Sequence, residues 1–277
     1  MHAHCSGNSG TDLLPLPTQD YSWSAVVTGI AAPAARRGSP PIRPSMVAMT
    51  SLSPGDELAG PPRLPADHPG VNELFAVLAY GEVAAFYRLT DEAKMAPDLR
   101  GRISMASMAA AEMAHYELLR EALESRGVDV VPTISKYVSA LDGYHRLTTP
   151  STWLEALVKA YVGDALVADF YLQIADELPD EVADVVRATM SQTGHSQFVV
   201  AEVRAAVTKS GKQRSRLALW SRRLLGEAIT QAQYVLAEHD ELVDLVVSTT
   251  DGLTQLAGFF DRLQRTHDER MRELGLA

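Results

Sequence analysis

Prolines and glycines divide the chain after residue 66 into segments long enough for helices, and this division most limits what the chain can fold into. In the first segment, from about Val71 to Lys94, apolar residues recur close to the 3.6-residue helical period. Pro97 is then predicted to stand in the first turn of a second helix, which runs to about Ser125 and stops at Gly127. Further helices are predicted over residues 151–178, with Ser151 or Thr152 as the N-cap, and over residues 179–210 and 214–239, with one or two more in 241–274.

The lengths of the connections between these helices predict their topology. Tight connections around Pro97 and Pro179 join the first helix to the second and the third to the fourth. A long connection, from Val128 to Pro150, separates the two pairs, and its residues 134–141 could form a short helix. Two antiparallel hairpins joined by one long crossover are the ferritin-like arrangement of a four-helix bundle. We therefore predict an all-α, ferritin-like bundle with a crossover between helices two and three and one or two extra C-terminal helices.

Composition excludes several classes of protein. The formal net charge of -10 excludes a uniformly basic nucleic-acid binder, although a local basic patch is still allowed. Cys5 is the single cysteine, which excludes an intrachain disulfide framework, a thiolate zinc site and an iron–sulfur cluster. No apolar run reaches the length of a membrane-spanning helix, and we expect a cytoplasmic protein.

Residues 1–66 differ from the rest of the chain. Ten of the 15 prolines lie before residue 66, in a Pro-, Gly- and Ser-rich stretch without a helical period. We expect a disordered arm here and a ferritin-like helical domain over residues 67–277. Met46 and Met49 leave two interpretations open, an over-extended start of translation or a genuine flexible arm.

The second predicted helix contains a metal-binding pattern, Glu112-x-x-His115. Residues three apart are neighbours on one helix face, so this pair can offer a carboxylate oxygen and an imidazole nitrogen to one ion. A single pattern of this kind is common by chance. However, the Glu112-x-x-His115 pattern follows an almost wholly apolar run. Glu82 on the first helix is likewise surrounded in sequence by apolar residues. Charged groups in such surroundings need partners.

The second hairpin offers further ligand candidates at matching positions. Asp164 lies in the third predicted helix, and Gln192 and His195 lie three residues apart in the fourth. In di-iron carboxylate bundles, two helices each give one Glu and the other two each give Glu-x-x-His. Carboxylates offset the charge of the ions, and imidazoles add neutral donors. The chain follows this order with Glu82, Glu112, His115, Asp164 and His195, and departs from it at Gln192.

The amide at Gln192 leaves three interpretations open. It could ligate as it stands or hold a water molecule. Glu227 or Glu202 could replace it as a carboxylate ligand. Alternatively, the site could hold one metal ion or none. Manganese would fit the same donors as iron.

Several stretches of the chain resemble one known family. They are Ala79-Tyr80-Gly81-Glu82 and residues 108–117, 157–164 and 225–228. Over residues 70–277 the chain resembles the ferritin-like family related to bacterial tRNA 2-methylthio-isopentenyladenosine hydroxylases. The resemblance implies a di-iron site, molecular oxygen as co-substrate and hydroxylation of the isopentenyl side chain of a tRNA adenosine, with electrons from a reductase or ferredoxin. By this resemblance Glu82, Glu112, His115, Asp164 and His195 would be the metal ligands, and no further catalytic side chain is expected.

A cluster of basic residues could bind the tRNA that such a hydroxylase acts on. Between residues 204 and 223 the chain has seven basic residues and no acidic one. A protein that acts on tRNA needs such a patch to meet phosphates, but basic residues near a helix C-terminus also have a purely structural use. The seven residues are Arg204, Lys209, Lys212, Arg214, Arg216, Arg222 and Arg223.

Two alternatives to a tRNA hydroxylase remain open from the sequence. One is a ferritin-like protein that binds or oxidises iron without an organic substrate. The other is a bundle that has lost its metal and acts through binding, which the amide at Gln192 favours.

Overall fold

Residues 64–190, 196–249 and 253–277 are described by a computed structural model, and in them helices are joined by short connections. The predicted N-terminal arm lies outside these residues except for residues 64–66. The described residues contain no β-strand. Within these ranges the chain forms ten α-helices: α1 Pro69–Glu92, α2 Leu99–Ser125, α3 Val130–Ser135, α4 Val138–Leu147, α5 Trp153–Ala175, α6 Asp180–Thr189, α7 Ser196–Lys209, α8 Gly211–Glu238, α9 Asp240–Thr249 and α10 Leu253–Leu274.

Polar side chains fix where the main helices begin. The Asp98 carboxylate accepts a hydrogen bond from the backbone N–H of Gly101 at 2.8 Å. α2 therefore begins at Leu99, and Pro97 stands just before the cap instead of in the first helical turn. Thr152, one of two residues predicted to cap α5, accepts from the backbone N–H of Glu155 at 3.3 Å, which confirms that start.

The crossover contains two helices instead of one short helix over residues 134–141. The chain turns at Tyr137, between α3 and α4, because this side chain is fully buried against α1. Its hydroxyl donates to Glu73 Oε2 at 2.5 Å, and Lys136 Nζ donates to Glu73 Oε1 at 2.6 Å. These long-range contacts decide where the crossover bends.

The predicted fourth helix ends early. α6 stops at Thr189, where Met190 forms the C-cap, and α7 begins at Ser196. Two predicted ligands, Gln192 and His195, lie between them and outside the described residues.

The core lies where the two hairpins meet. α1 packs along α2, and α5 packs against α6, α7 and α8. α5 is apolar on most sides, and Leu157, Val158 and Val162 are fully buried. Burial of such side chains stabilises the fold by about 1.5–3 kcal/mol each. α9 lies against α1, and α10 lies against α5 and α7. The predicted all-α bundle of two hairpins, with a long crossover and extra C-terminal helices, is confirmed.

None of the helices in the described residues has both the length and the apolar character needed to cross a membrane.

Candidate metal centre

Glu82, Glu112 and His115 come together between α1 and α2. One ligand atom from each lies within 4.8 Å of the others, and in the described part of the chain no other His, Cys, Asp and Glu side chains form such a group. His115 Nδ1 is 3.4 Å from Glu82 Oε2 and 3.5 Å from Glu112 Oε2. Glu82 is buried, and the other two side chains are about 15% exposed.

Local geometry explains this group. Glu112 and His115 are one turn apart on α2, so both side chains project from the same face. α1 lies antiparallel to α2 and brings Glu82 level with them. The distances bring these three predicted ligands together, and their binding of metal stays a prediction.

Three titratable side chains in so small a space shift each other's pKa. Burial raises the pKa of Glu82 well above its usual value. Burial also acts to raise the pKa of Glu112, but hydrogen bonds from His115 and Glu82 and the charge of Arg88 outweigh it and lower that pKa. Hydrogen bonds to both carboxylates raise the pKa of His115 to about 9. Without a cation the group therefore retains protons, which a metal ion would displace.

Asp164 lies on the wall of the same cavity but has a different partner. Its Oδ1 accepts a hydrogen bond from Arg88 Nη2 at 2.7 Å. Arg88 Nη1 donates to Glu92 Oε2 at 3.1 Å, and Lys159 Nζ is 3.7 Å from Glu92 Oε1. Burial raises the pKa of Asp164 to about 7 although Arg88 opposes the shift. A second cluster, Arg88–Glu92–Lys159–Asp164, thus adjoins the Glu82–Glu112–His115 group.

The Glu82–Glu112–His115 group and three members of the second cluster, Arg88, Lys159 and Asp164, line a cavity of about 210 Å³. The crossover helix α4 contributes Leu141, Tyr144 and His145 to its wall. His145 Nδ1 is buried and has no hydrogen-bond partner among the described residues. Burial and the nearby cations Arg88 and Lys159 lower the pKa of His145 to about 2, so its imidazole is neutral. A neutral imidazole here can offer a lone pair to a bound molecule.

A second cavity, of about 120 Å³, adjoins the first and is lined almost wholly by apolar side chains. Five residues line both cavities: Val77, Leu141, Tyr144, Val167 and Tyr171. The Glu82–Glu112–His115 group therefore stands beside a chamber suited to an apolar group.

Comparison with protein families agrees with this architecture. A family model described as a ferritin-like domain of actinomycetes matches residues 66–249. The chain belongs to this ferritin-like family. The match covers both hairpins and the crossover. A comparison with curated proteins gives no match.

Helix bundles of this kind can hold metal between their helices, and the donors present here suit one ion. Two carboxylates and an imidazole converge from α1 and α2, and such oxygen and nitrogen donors suit iron or manganese. The donors for a second ion are less well matched, because Asp164 is already paired with Arg88.

The two candidate substitute ligands, Glu202 and Glu227, lie away from the Glu82–Glu112–His115 group. Glu202 is exposed on α7. Glu227 on α8 has its Oε1 3.9 Å from Arg223 Nε and is not among the residues that line either cavity. With Gln192 and His195 outside the described residues, the roles of these four residues stay predictions.

All seven predicted RNA-contacting residues are exposed, on α7 and α8. Two of them also hold helices together. Arg216 Nε donates to Glu155 Oε1 at 2.9 Å, and Arg223 Nη2 donates to the backbone oxygen of Leu147 at 2.5 Å. The patch is therefore partly structural, and its contact with RNA stays a prediction.

Sequence analysis missed three polar residues beside the cavity: Arg88, Glu92 and Lys159. Two signals were present. Lys159 interrupts an apolar run in α5, and Arg88 and Glu92 are four residues apart in α1. A lone charge within a helix that must be buried indicates an internal ion pair.

Proposed function

We propose that this ferritin-like protein is a non-haem iron oxygenase that hydroxylates an apolar substrate group. The observation that supports this best is the position of the Glu82–Glu112–His115 group beside an apolar chamber. A protein that only oxidises iron has no need of such a chamber. The isopentenyl side chain of a modified tRNA adenosine is the substrate we propose to test first.

In this proposal the three side chains hold iron, with two carboxylates that offset its charge and one neutral imidazole. Bound iron supplies the reaction with molecular oxygen. The sequence pattern predicts two ions, with Asp164 and His195 completing the second site. Manganese is an alternative occupant of the same donors.

The apolar chamber would select and place the substrate. Burial of a hydrocarbon group is favourable by about 0.8 kcal/mol per methylene, so a branched alkenyl group gains affinity by leaving water. Tyr144 and Tyr171 lie at the boundary of the two cavities and would keep bulk water from the reacting carbon.

Hydroxylation needs electrons from a partner. Insertion of one oxygen atom of O₂ into a C–H bond gives C–OH, and the other oxygen atom leaves as water. This balance takes two electrons and two protons. We therefore propose that a reductase or ferredoxin is the electron donor.

The test is nucleoside analysis of tRNA. The protein is loaded with Fe²⁺ and incubated with isopentenylated tRNA, oxygen and a chemical reductant, and digested nucleosides are examined by mass spectrometry. We expect a gain of one oxygen atom on the modified adenosine. His115→Ala should abolish the product. Glu121→Ala, which removes an exposed carboxylate from the same helix, is the matched control.

Two results would contradict the proposal. Iron that binds and oxidises while the nucleoside stays unchanged would indicate an iron-oxidising protein. Failure of the protein to bind iron at all would indicate a metal-free bundle.

A further inference from the structure

We propose that Arg88 takes the place of a second metal ion, so that this centre binds a single divalent cation between Glu82, Glu112 and His115. This inference rests on the proposed metal-binding function and defines its stoichiometry.

The guanidinium of Arg88 already holds the carboxylate that a second ion would need. Its side chain is 5% exposed and lies between α1 and α5. It donates to Asp164 Oδ1 at 2.7 Å and to Glu92 Oε2 at 3.1 Å. Asp164, the only predicted ligand on α5, is therefore already paired with a cation.

Arginine cannot give up this position by losing its proton, because its guanidinium stays charged in proteins. A second metal ion would have to displace Arg88 from Asp164. The displaced cation would then keep only Glu92, which it shares with Lys159, and removing one partner from a buried charge is destabilising. Lys159, which is 2% exposed, adds a second buried cation beside Glu92.

The charges around the cavity balance with one ion. Four carboxylates and two cations leave two formal negative charges, which one divalent ion neutralises. Two divalent ions would leave two positive charges in a largely buried space, which is costly. The carboxylates are Glu82, Glu92, Glu112 and Asp164, and the cations are Arg88 and Lys159.

Metal stoichiometry tests the inference directly. The metal-free full-length chain is dialysed to equilibrium against Mn²⁺, and bound manganese per chain is measured by mass spectrometry and by electron paramagnetic resonance. We expect one ion per chain with the spectrum of an isolated Mn²⁺ ion. Two ions per chain with an exchange-coupled spectrum would overturn the inference while leaving the proposed function intact. Absence of bound metal would overturn both.

Two variants distinguish further between one and two bound ions per chain. Asp164→Asn should keep one ion per chain, whereas a dinuclear centre predicts a loss of bound metal. Arg88→Met frees Asp164 and Glu92, and we expect it to admit a second ion. Arg100→Met, at an exposed position on α2, is the control and should keep one ion.

Folding of each variant is checked by circular dichroism. If Arg88→Met does not fold, the wild-type count and Asp164→Asn decide the question. Glu112→Ala should bind no ion, which locates the single site on the Glu82–Glu112–His115 group.

Discussion

Lys159 shows how strongly burial inside this bundle shifts the pKa of a single side chain. It lies in an apolar stretch of α5, and its side chain is 2% exposed. Burial lowers its pKa to about 8, with a further contribution from the charge of Arg88, while Glu92 and Asp164 oppose the shift. The folded protein therefore keeps this ammonium group charged at an energetic cost at neutral pH.

This pKa gives a pH-dependent prediction for Lys159→Met. The unfolded chain binds the lysine proton up to about pH 10.4, whereas the folded chain loses it above about pH 8. Between these values the unfolded state binds more protons, so stability due to Lys159 rises with pH. We expect urea unfolding to show that wild type gains up to about 3 kcal/mol relative to Lys159→Met over this window. A difference that stays constant from pH 7 to 10.5 would contradict the prediction.

At the residue scale, the sequence predicts what depends on local helix geometry. Glu112 and His115 are one turn apart, so their shared face follows from helical periodicity alone. The pairing of Arg88 with Asp164 joins residues that are 76 positions apart. This pairing depends on which faces of α1 and α5 are turned toward each other, and the spacing of residues in the sequence does not determine that orientation.

At the scale of elements, α7 and α8 form a basic junction whose function can be tested. Lys209, Lys212 and Arg214 are exposed there, and none of the three forms an ion pair with another described residue. We expect replacement of all three by Glu to weaken tRNA binding and to lower the slope of log affinity against log salt by about 1 per lost phosphate contact.

The control for this experiment uses three exposed basic residues outside the junction, Lys94, Arg100 and Arg102. Their replacement by Glu changes the net charge equally and should have a smaller effect on tRNA binding. Bound metal should be unchanged in both variants. Equal losses of affinity would show that the junction has no specific role.

The boundaries of the elements show the same limit of sequence analysis. The start of α5 could be predicted, because its N-cap hydrogen bond joins Thr152 to Glu155, only three residues further along the chain. The bend at Tyr137 could not, because it depends on Glu73 in a different helix. Topology was predictable since the connection lengths alone distinguish one long crossover from short loops.

At the scale of the whole molecule, the two adjoining cavities predict that substrate binding and metal binding can be separated. Ala232 on α8 lines the apolar chamber. We expect Ala232→Phe to fill it and to abolish hydroxylation of an apolar group, with iron content unchanged. Oversized core residues destabilise by about 1–3 kcal/mol, so thermal unfolding is measured in parallel.

Ala237→Phe is the matched control for the chamber variant, because Ala237 is exposed on the same helix. It should hydroxylate at the wild-type rate. Full activity in Ala232→Phe would show that the substrate does not enter the chamber.

The crossover has a consequence for how such proteins diversify. Leu141, Tyr144 and His145 close the cavity from α4, whereas Glu82, Glu112 and His115 lie on α1 and α2. Mutation can therefore reshape this wall of the cavity without changing the three side chains that we propose bind metal. Selection for a new substrate would act first on this segment, and relatives with different substrates should share the donors and differ in the crossover.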